Sequence, residues 1–240
     1  MNKPGRNRRG SLDQATIVAT AIDLADADGV EKLTMRNLAD KLGYKVMALY
    51  NHVGNKDELS GLMVDAVVAV ALDPSVGSTD TDTDTGTGTE IESKPESPLA
   101  AVRSIALSVR AVLVAHPWAA ELWLRQMPGP ARTQIMENLL SALAATDLSP
   151  EIAHHGFHAV TNHVIGYTLQ ESGMNAGLDS RDVDDVEQVA HDFMGQLDSE
   201  RFAHTITHVR QHLDGETSSS FEFVLDLILD GLVRAGEKGH

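Results

Sequence analysis

The stretch from Thr34 to Lys56 constrains the fold more than any other part of this 240-residue chain. Thr34 is a natural N-cap, because its hydroxyl can accept a hydrogen bond from a free backbone N–H of the first helical turn. The apolar residues that follow recur at helical spacing, and Gly43 can end that helix in the left-handed conformation without a Cβ clash. A second short helix is predicted over residues 46–53, with Leu49 facing inward. The stretch therefore predicts two short helices around a glycine turn.

The second predicted helix presents its polar groups on the face opposite Leu49. That face carries Lys45, Met47, Tyr50 and His52. Two helices around a glycine turn, with cationic and hydroxyl groups outward on the second, are typical of a helix-turn-helix DNA reader. The alternative is a corner of a helical bundle with a chance glycine turn.

The same stretch resembles the DNA-binding segment of the tetracycline-repressor (TetR) family of transcription regulators. The matching residues are Thr34, Arg36, Leu38, Ala39, Leu42, Gly43, Ala48, Leu49, Tyr50, His52, Val53 and Lys56. The resemblance is close over residues 11–72 and extends to the rest only in helical layout. It implies a homodimeric repressor that binds a palindromic double-stranded DNA operator and is released from it by a small-molecule effector. No enzymatic activity and no cofactor are expected.

The resemblance assigns the expected DNA contacts residue by residue. They are Arg36, Lys45, Val46, Met47, Tyr50, His52 and Lys56. Lys56 begins a helix, where its ammonium and the free backbone N–H groups can approach a phosphate, and Arg36 could fork onto guanine. Local packing is the alternative role for Tyr50 and His52.

The start of the recognition helix departs from the family pattern. A Ser or Thr commonly caps this helix where Lys45 stands, so about 1 kcal/mol of capping is missing. Val46 and Met47 can make only apolar contacts, for instance with thymine methyl groups. A helical protein that sequesters a ligand and keeps a vestigial head is therefore a further alternative.

The charge of the chain is unevenly distributed. The formal net charge is −16, yet residues 1–56 hold nine Lys and Arg against six Asp and Glu, while residues 57–240 hold 10 against 29. Phosphate binding depends on the local field, because charges beyond a Debye length are largely screened. The mildly basic head is therefore compatible with DNA. The acidity of the body fits either solubility or orientation of the molecule towards DNA.

Composition narrows the function further. The chain has no cysteine, so disulfides, thiolate metal sites and a cysteine nucleophile are unavailable. The basic amino terminus lacks the apolar segment of a secretion signal, and no apolar run approaches 18 residues. A cytoplasmic protein without a membrane partner is expected.

Helical patterns without a competing strand pattern predict an all-α fold. The predicted divisions are a flexible basic arm (1–10), a helix-turn-helix DNA-binding domain with its connecting helix (11–72), a disordered linker (73–97) and a helical ligand-binding and dimerisation domain (98–240). The linker prediction follows from the near absence of apolar residues there. Body helices are predicted over 98–115, 118–127, 131–145, 150–171, 183–197, 199–213 and 220–235, with a polar loop over 172–181.

The final predicted helix is apolar on more than one face. A surface helix of a monomer needs only one apolar stripe, so a second partner is expected, and a two-fold dimer supplies one. The resemblance adds the helix around residues 151–171 to this interface, as a four-helix bundle. A central core helix in a monomer is the alternative.

The effector pocket is expected inside the carboxy-terminal bundle, because bundle cavities are lined by apolar side chains with a few polar groups. Its candidate wall residues are His116, Trp118, Trp123, Met127, Phe157 and Met174. Plain core packing is the alternative role for each.

Eleven histidines raise the alternative of a metal sensor or metalloenzyme with a helical-bundle fold. His154 and His158 are four residues apart, as are His204, His208 and His212, which places each set on one helical face. No H-E-x-x-H pattern occurs. Solvated or pocket-lining histidines are favoured, and no metal ligand is assigned.

Overall fold

The computed structural model describes residues 12–73, 97–178, 183–213 and 220–238. The head contains α1 (Gln14–Asp28), α2 (Met35–Leu42), α3 (Val46–Leu49) and α4 (Lys56–Val68), with 3₁₀ turns at Val30–Lys32 and Ala69–Leu72. The body contains α5 (Pro98–Ala115), α6 (Pro117–Trp123), α7 (Pro130–Ala144), α8 (Pro150–Leu178), α9 (Val183–Gly195), α10 (Ala203–Leu213) and α11 (Ser220–Lys238). Within these ranges there is no strand, and the all-α prediction is confirmed. The predicted basic arm and almost all of the predicted linker lie outside the described residues.

The head is a small helical unit around fully buried apolar side chains. Ile17 of α1, Leu38 of α2, Leu49 of α3 and Met63 of α4 each have no exposed surface. Such burial is worth about 1.5–3 kcal/mol for each large apolar side chain. Because α3 is too short to persist alone, its conformation depends on this packing.

The body is a helical bundle in which α5 packs against α7, α8 and α11. Of the described helices, Pro98–Ala115 alone is long and apolar enough to cross a bilayer, judged by length and composition. It packs against the other bundle helices, and Arg103 ties it to α11 through Glu222 at 2.8 Å and Asp226 at 2.7 Å. These contacts are those of a bundle helix.

Several predicted helix limits are wrong. The polar loop predicted from residue 172 is helical as far as residue 178, because Gly173 weakens a helix without breaking it and the segment has no proline. The second half of 46–53 is a turn that leads into the Asn55 cap of α4, so α3 stops at Leu49. Residues 179–181 lie outside the described part.

Two further limits differ in the body. α6 ends at Trp123 rather than residue 127. The Arg132 side chain donates hydrogen bonds to the carbonyl groups of Gln126 and Met127, which follow the helix. α10 begins at Ala203 rather than residue 199, and before it Asp198 accepts hydrogen bonds from the backbone N–H groups of Glu200 and Arg201 in a turn. In both places a side chain satisfies backbone groups that have no partner within a helix.

Candidate DNA-binding site and its junction with the body

The start of α2 is fixed by a reciprocal cap. The Thr34 hydroxyl accepts a hydrogen bond from the Asn37 backbone N–H at 3.1 Å, and the Asn37 side-chain oxygen accepts one from the Thr34 N–H at 2.8 Å. The Asn37 amide also donates to the Lys32 carbonyl at 2.6 Å. Backbone groups left free at a helix start are satisfied in this way. Arg36 is exposed on this capped first turn.

The end of α2 is fixed by Gly43, which has a left-handed φ of +74°. Its N–H donates to the Asp40 carbonyl at 3.2 Å, and the Tyr44 N–H donates to the Ala39 carbonyl at 3.0 Å. These bonds close the helix and reverse the chain. Lys45 then occupies the cap position of α3 in extended backbone, and its side chain makes no capping hydrogen bond.

The reading face of the head is open. Leu49 is fully buried and anchors α3, while on the other side Met47 is 72% exposed and Tyr50 is 41% exposed. Lys45 is exposed as well, and Val46 is half-buried against the head core. Lys45, Met47 and Tyr50 are therefore accessible from solvent, whereas Val46 packs partly against the head core.

The start of α4 supplies the remaining predicted contacts. The Asn55 side chain accepts a hydrogen bond from the Glu58 N–H at 2.8 Å, and the Glu58 carboxylate accepts one from the Gly54 N–H at 2.9 Å. Lys56 is exposed on this first turn, and His52 is half-buried just before it. The seven predicted DNA contacts thus come from α2, α3 and the turn into α4.

The predicted effector residues do not share one cavity. His116 and Trp118 lie at the start of α6 and both bind Asp26 of α1. The His116 Nδ1 lies 2.8 Å from one carboxylate oxygen of Asp26, and the Trp118 indole N–H donates to that oxygen at 2.6 Å. Trp118 also lines a cavity of about 370 Å³ between head and body, together with Glu31 and Glu121.

The other predicted wall residues lie apart from this pair. Trp123 borders a small apolar cavity of about 20 Å³ in the bundle core, beside Ile135 and Val160. Phe157 is half-buried against the core, and Met127 is 87% exposed beyond the end of α6. Met174 belongs to α8, and its side chain lies outside the described part of the structure. Their role in effector binding stays a prediction.

A second carboxylate of the head, Asp65 of α4, holds the start of α7. Its two oxygens accept hydrogen bonds from the backbone N–H groups of Ala131 at 2.9 Å and Arg132 at 3.0 Å. The side chain of Arg132 is 2% exposed, and its Nε lies 3.5 Å from Asp65. The guanidinium donates to the carbonyls of Gln126 at 3.2 Å and of Met127. The loop after α6 is therefore tied to the head through one buried arginine.

Sequence reasoning missed Asp26, Asp65 and Arg132. Asp65 and Arg132 are 67 residues apart, and neither stands in a recognisable motif. The available signal was weak: an aspartate on an otherwise apolar helix face, and an arginine two residues after a helix-starting proline. Only the folded chain brings these groups together.

The histidines do not assemble into a metal site among the residues described. The rings of His154 and His158 meet edge to face at 4.6 Å, with His155 beside His154. Within the described ranges there is no group of three or more His, Asp or Glu side chains suited to a metal ion. The predicted set on α10 includes His212, whose side chain is not within the described part of the structure.

The fold and the head define a helix-turn-helix protein with a separate helical body, and the comparisons with known proteins agree. Residues 17–61 match the bacterial regulatory proteins of the tetR family, and residues 94–235 match the tetracyclin repressor-like C-terminal domain. The chain belongs to the tetracycline-repressor family. It is therefore a DNA-binding transcriptional regulator and not an enzyme, and nothing in this membership supports the metal-sensor alternative.

Individual relatives extend the likeness along the chain. An HTH-type transcriptional regulator of Saccharopolyspora erythraea is 35% identical over 162 residues, which cover 67% of this chain and 61% of that protein. The HTH-type transcriptional repressor DrrR1 of Streptomyces coeruleorubidus is 27% identical over 96% of this chain and 80% of its own. Apo ActR of Streptomyces coelicolor superposes with a TM-score of 0.73 and 26% identity, over 96% of this chain and 99% of ActR. The chain thus spans less than two thirds of the first relative and nearly all of ActR.

Proposed function

We propose that this chain represses transcription by binding a palindromic operator as a homodimer, and that a small molecule releases it. The observation that carries the proposal is the open face of α3 and its neighbours, where Lys45, Tyr50 and Lys56 are exposed. Exposed cations and a phenol at a helix-turn-helix are suited to phosphate contacts, which fix the protein on the duplex. A cytoplasmic location, where DNA is accessible, is part of this proposal.

The proposed dimer interface is the outer face of α11, together with α8. In the single chain, α11 buries Phe221, Leu225, Leu229 and Leu232 against its own body. Its other face leaves Phe223 66% exposed, Leu227 48% and Val233 43%. Large apolar side chains left exposed on a helix that is already packed support a second copy as its cover, as the sequence predicted.

The proposed effector acts inside the body or at its junction with the head. ActR, the structural relative, has been crystallised in complex with actinorhodin and with (S)-DNPA. In the present chain the core cavity beside Trp123 is small, at about 20 Å³, so an effector bound there must displace side chains. The Arg132 guanidinium lies 5.9 Å from the Trp123 ring and makes the contact with Asp65. A displacement of Trp123 therefore moves Arg132, and through it the contact with Asp65 of α4.

The decisive experiment is selection of bound duplexes from a random pool, followed by titration of the selected site over a salt series. We expect an inverted repeat with half-site centres about one helical turn apart, because two symmetric heads read it. Lys56→Ala should weaken binding to all sequences and lower the salt slope by about one for each phosphate contact that is lost. Tyr50→Ala should also weaken binding.

The matched control is Arg210→Ala, which removes the same charge from an exposed position on α10 of the body. It should leave both the affinity and the salt slope unchanged. Failure of the wild-type protein to select any duplex at any salt, or equal effects of Lys56→Ala and Arg210→Ala, would contradict the proposed function.

A further inference from the structure

The recognition turn contains no side-chain hydrogen-bond donor. α3 consists of Val46, Met47, Ala48 and Leu49 and nothing else. Leu49 faces the core with no exposed surface, whereas Met47 is 72% exposed. Polar readout of bases must therefore come from residues outside α3. What α3 itself offers to a duplex is the thioether side chain of Met47.

The head holds the backbone of this turn in place. Leu49 belongs to the buried core, and Val46 is half-buried against it. The Ala48 N–H donates to the Lys45 carbonyl at 2.8 Å, and the Tyr50 N–H donates to the Val46 carbonyl at 3.4 Å. A flexible, unbranched side chain on a fixed backbone can adjust to an apolar group without movement of the helix.

Base edges in the major groove differ in apolar surface. Guanine and adenine present N7 and either O6 or an amino group, cytosine presents an amino group, and thymine presents O4 and a C5 methyl group. A side chain with neither a donor nor a strong acceptor leaves an N7 or an amino group unpaired and dehydrated, which is unfavourable. The thymine methyl group loses nothing when it is dehydrated, and it gains from apolar burial.

We infer that each half-site of the operator places a thymine methyl group against Met47. The inference rests on the proposed function and deepens it, because it names the base feature that the recognition turn selects. Lys45 at the start of α3 and Arg36 on α2 are exposed and supply polar contacts to flanking bases or phosphates. Met47 is thus a specificity-determining residue that acts by methyl recognition.

The test removes one methyl group at a time from the DNA. In the selected operator, each thymine is replaced by uracil, which keeps the hydrogen-bonding edge and lacks the C5 methyl. One thymine per half-site should be sensitive, with about fourfold weaker binding for a single replacement and about fifteenfold for the symmetric pair. Fluorescence anisotropy at constant salt measures both effects.

Protein variants identify the residue that reads the methyl group. In Met47→Ala the uracil replacement should no longer weaken binding, because the two changes remove the same contact. Met47→Leu should keep most of the sensitivity. Met136→Ala, which truncates another exposed methionine on α7 of the body, should behave as the wild-type protein.

A direct readout does not depend on the affinity of the variants. 5-Iodouracil at the sensitive thymine, irradiated in complex with the wild-type protein, should cross-link to a peptide that contains Met47. Binding without any uracil-sensitive thymine, retention of the sensitivity in Met47→Ala, or a cross-link to another part of the chain would overturn the inference alone. Absence of binding to every duplex would overturn the proposed function.

Discussion

Two glycines in the head show how the backbone conformation at a residue determines its contribution to stability. Gly43 has a φ of +74° at the end of α2, whereas Gly61 lies in the interior of α4. A Cβ added at Gly43 would meet no atom of the described residues within 4 Å, and one at Gly61 would make an ordinary contact with Gln126 at 3.7 Å. Steric clash therefore does not distinguish the two positions, and the backbone conformation does.

Alanine substitutions at these two positions should have opposite effects on the free energy of unfolding. Gly43→Ala should destabilise the protein by about 1–2 kcal/mol, because an alanine is strained in the left-handed region. Gly61→Ala should stabilise it by about 0.5–1 kcal/mol, since alanine loses less backbone entropy in a helix. Urea titration followed by circular dichroism measures both, and equal signs would contradict this account.

The glycine turn was accessible from the sequence, because residue type, position and helical periodicity all indicated it. The capping role of Asn37 was not, since its side chain acts only once the Lys32 carbonyl and the Thr34 N–H have been brought beside it. The type of residue predicts a preference for capping a helix, and the position of the neighbouring backbone groups determines whether the side chain caps it.

At the scale of elements, α3 depends on its surroundings more than any other part of the head. It has a single turn, a buried Leu49 and no side-chain cap. The predicted length of 46–53 failed here because Gly54 and the Asn55 cap of α4 follow immediately and require a turn. The predicted α8 was too short, because a glycine within a long packed helix does not end the helix.

The missing cap gives a prediction with two measurable results. Lys45 already has the extended backbone of a cap residue, with φ −83° and ψ 145°, so Lys45→Thr should stabilise the protein by about 1 kcal/mol. It should also weaken operator binding, because a cation is lost from the reading face. Thermal unfolding and DNA titration measure the two effects.

Lys41→Thr is the control for this substitution, because it makes the same change in the last turn of α2. Threonine is a weaker helix former than lysine and has no free N–H group to cap there, so this variant should be slightly less stable. A gain in stability from Lys41→Thr that equals the gain from Lys45→Thr would show that capping is not the cause.

At the scale of the whole molecule, the sequence indicated the uncovered face of α11 before the structure showed it. The apolar residues of α11 outnumber those that one helix face can bury. In the structure some of them are buried against the body and the others are exposed on the outer face. Which residues join head to body could not be predicted, since the Asp26 and Asp65 contacts connect segments 66 or more residues apart.

The outer face of α11 should control association. Phe223→Lys places a charge on a face that we propose to be buried between two copies, so the protein should sediment as a folded monomer at micromolar concentration. Val114→Lys on α5, where the side chain is 49% exposed, is the control and should remain dimeric. A dimeric Phe223→Lys protein would place the interface elsewhere.

The junction between head and body should depend on Arg132. Arg132→Met keeps the length of the side chain but removes the cation beside Asp65 and the donors to the Gln126 and Met127 carbonyls, while the two backbone hydrogen bonds to Asp65 remain. We expect a loss of about 3 kcal/mol in the free energy of unfolding. Arg125→Met, at an exposed position nearby, should change it by less than about 0.5 kcal/mol. Similar losses in the two variants would contradict a structural role for the junction.

The hydrogen bond from the Trp118 indole to Asp26 places a natural fluorophore on the boundary between the two parts of the protein. The chain has only two tryptophans, so a Trp123→Phe background leaves Trp118 as the single emitter. Its emission wavelength responds to the nearby carboxylate and to hydration, and both change when α1 and α6 separate. Binding of operator or effector can therefore be followed in solution without any attached dye.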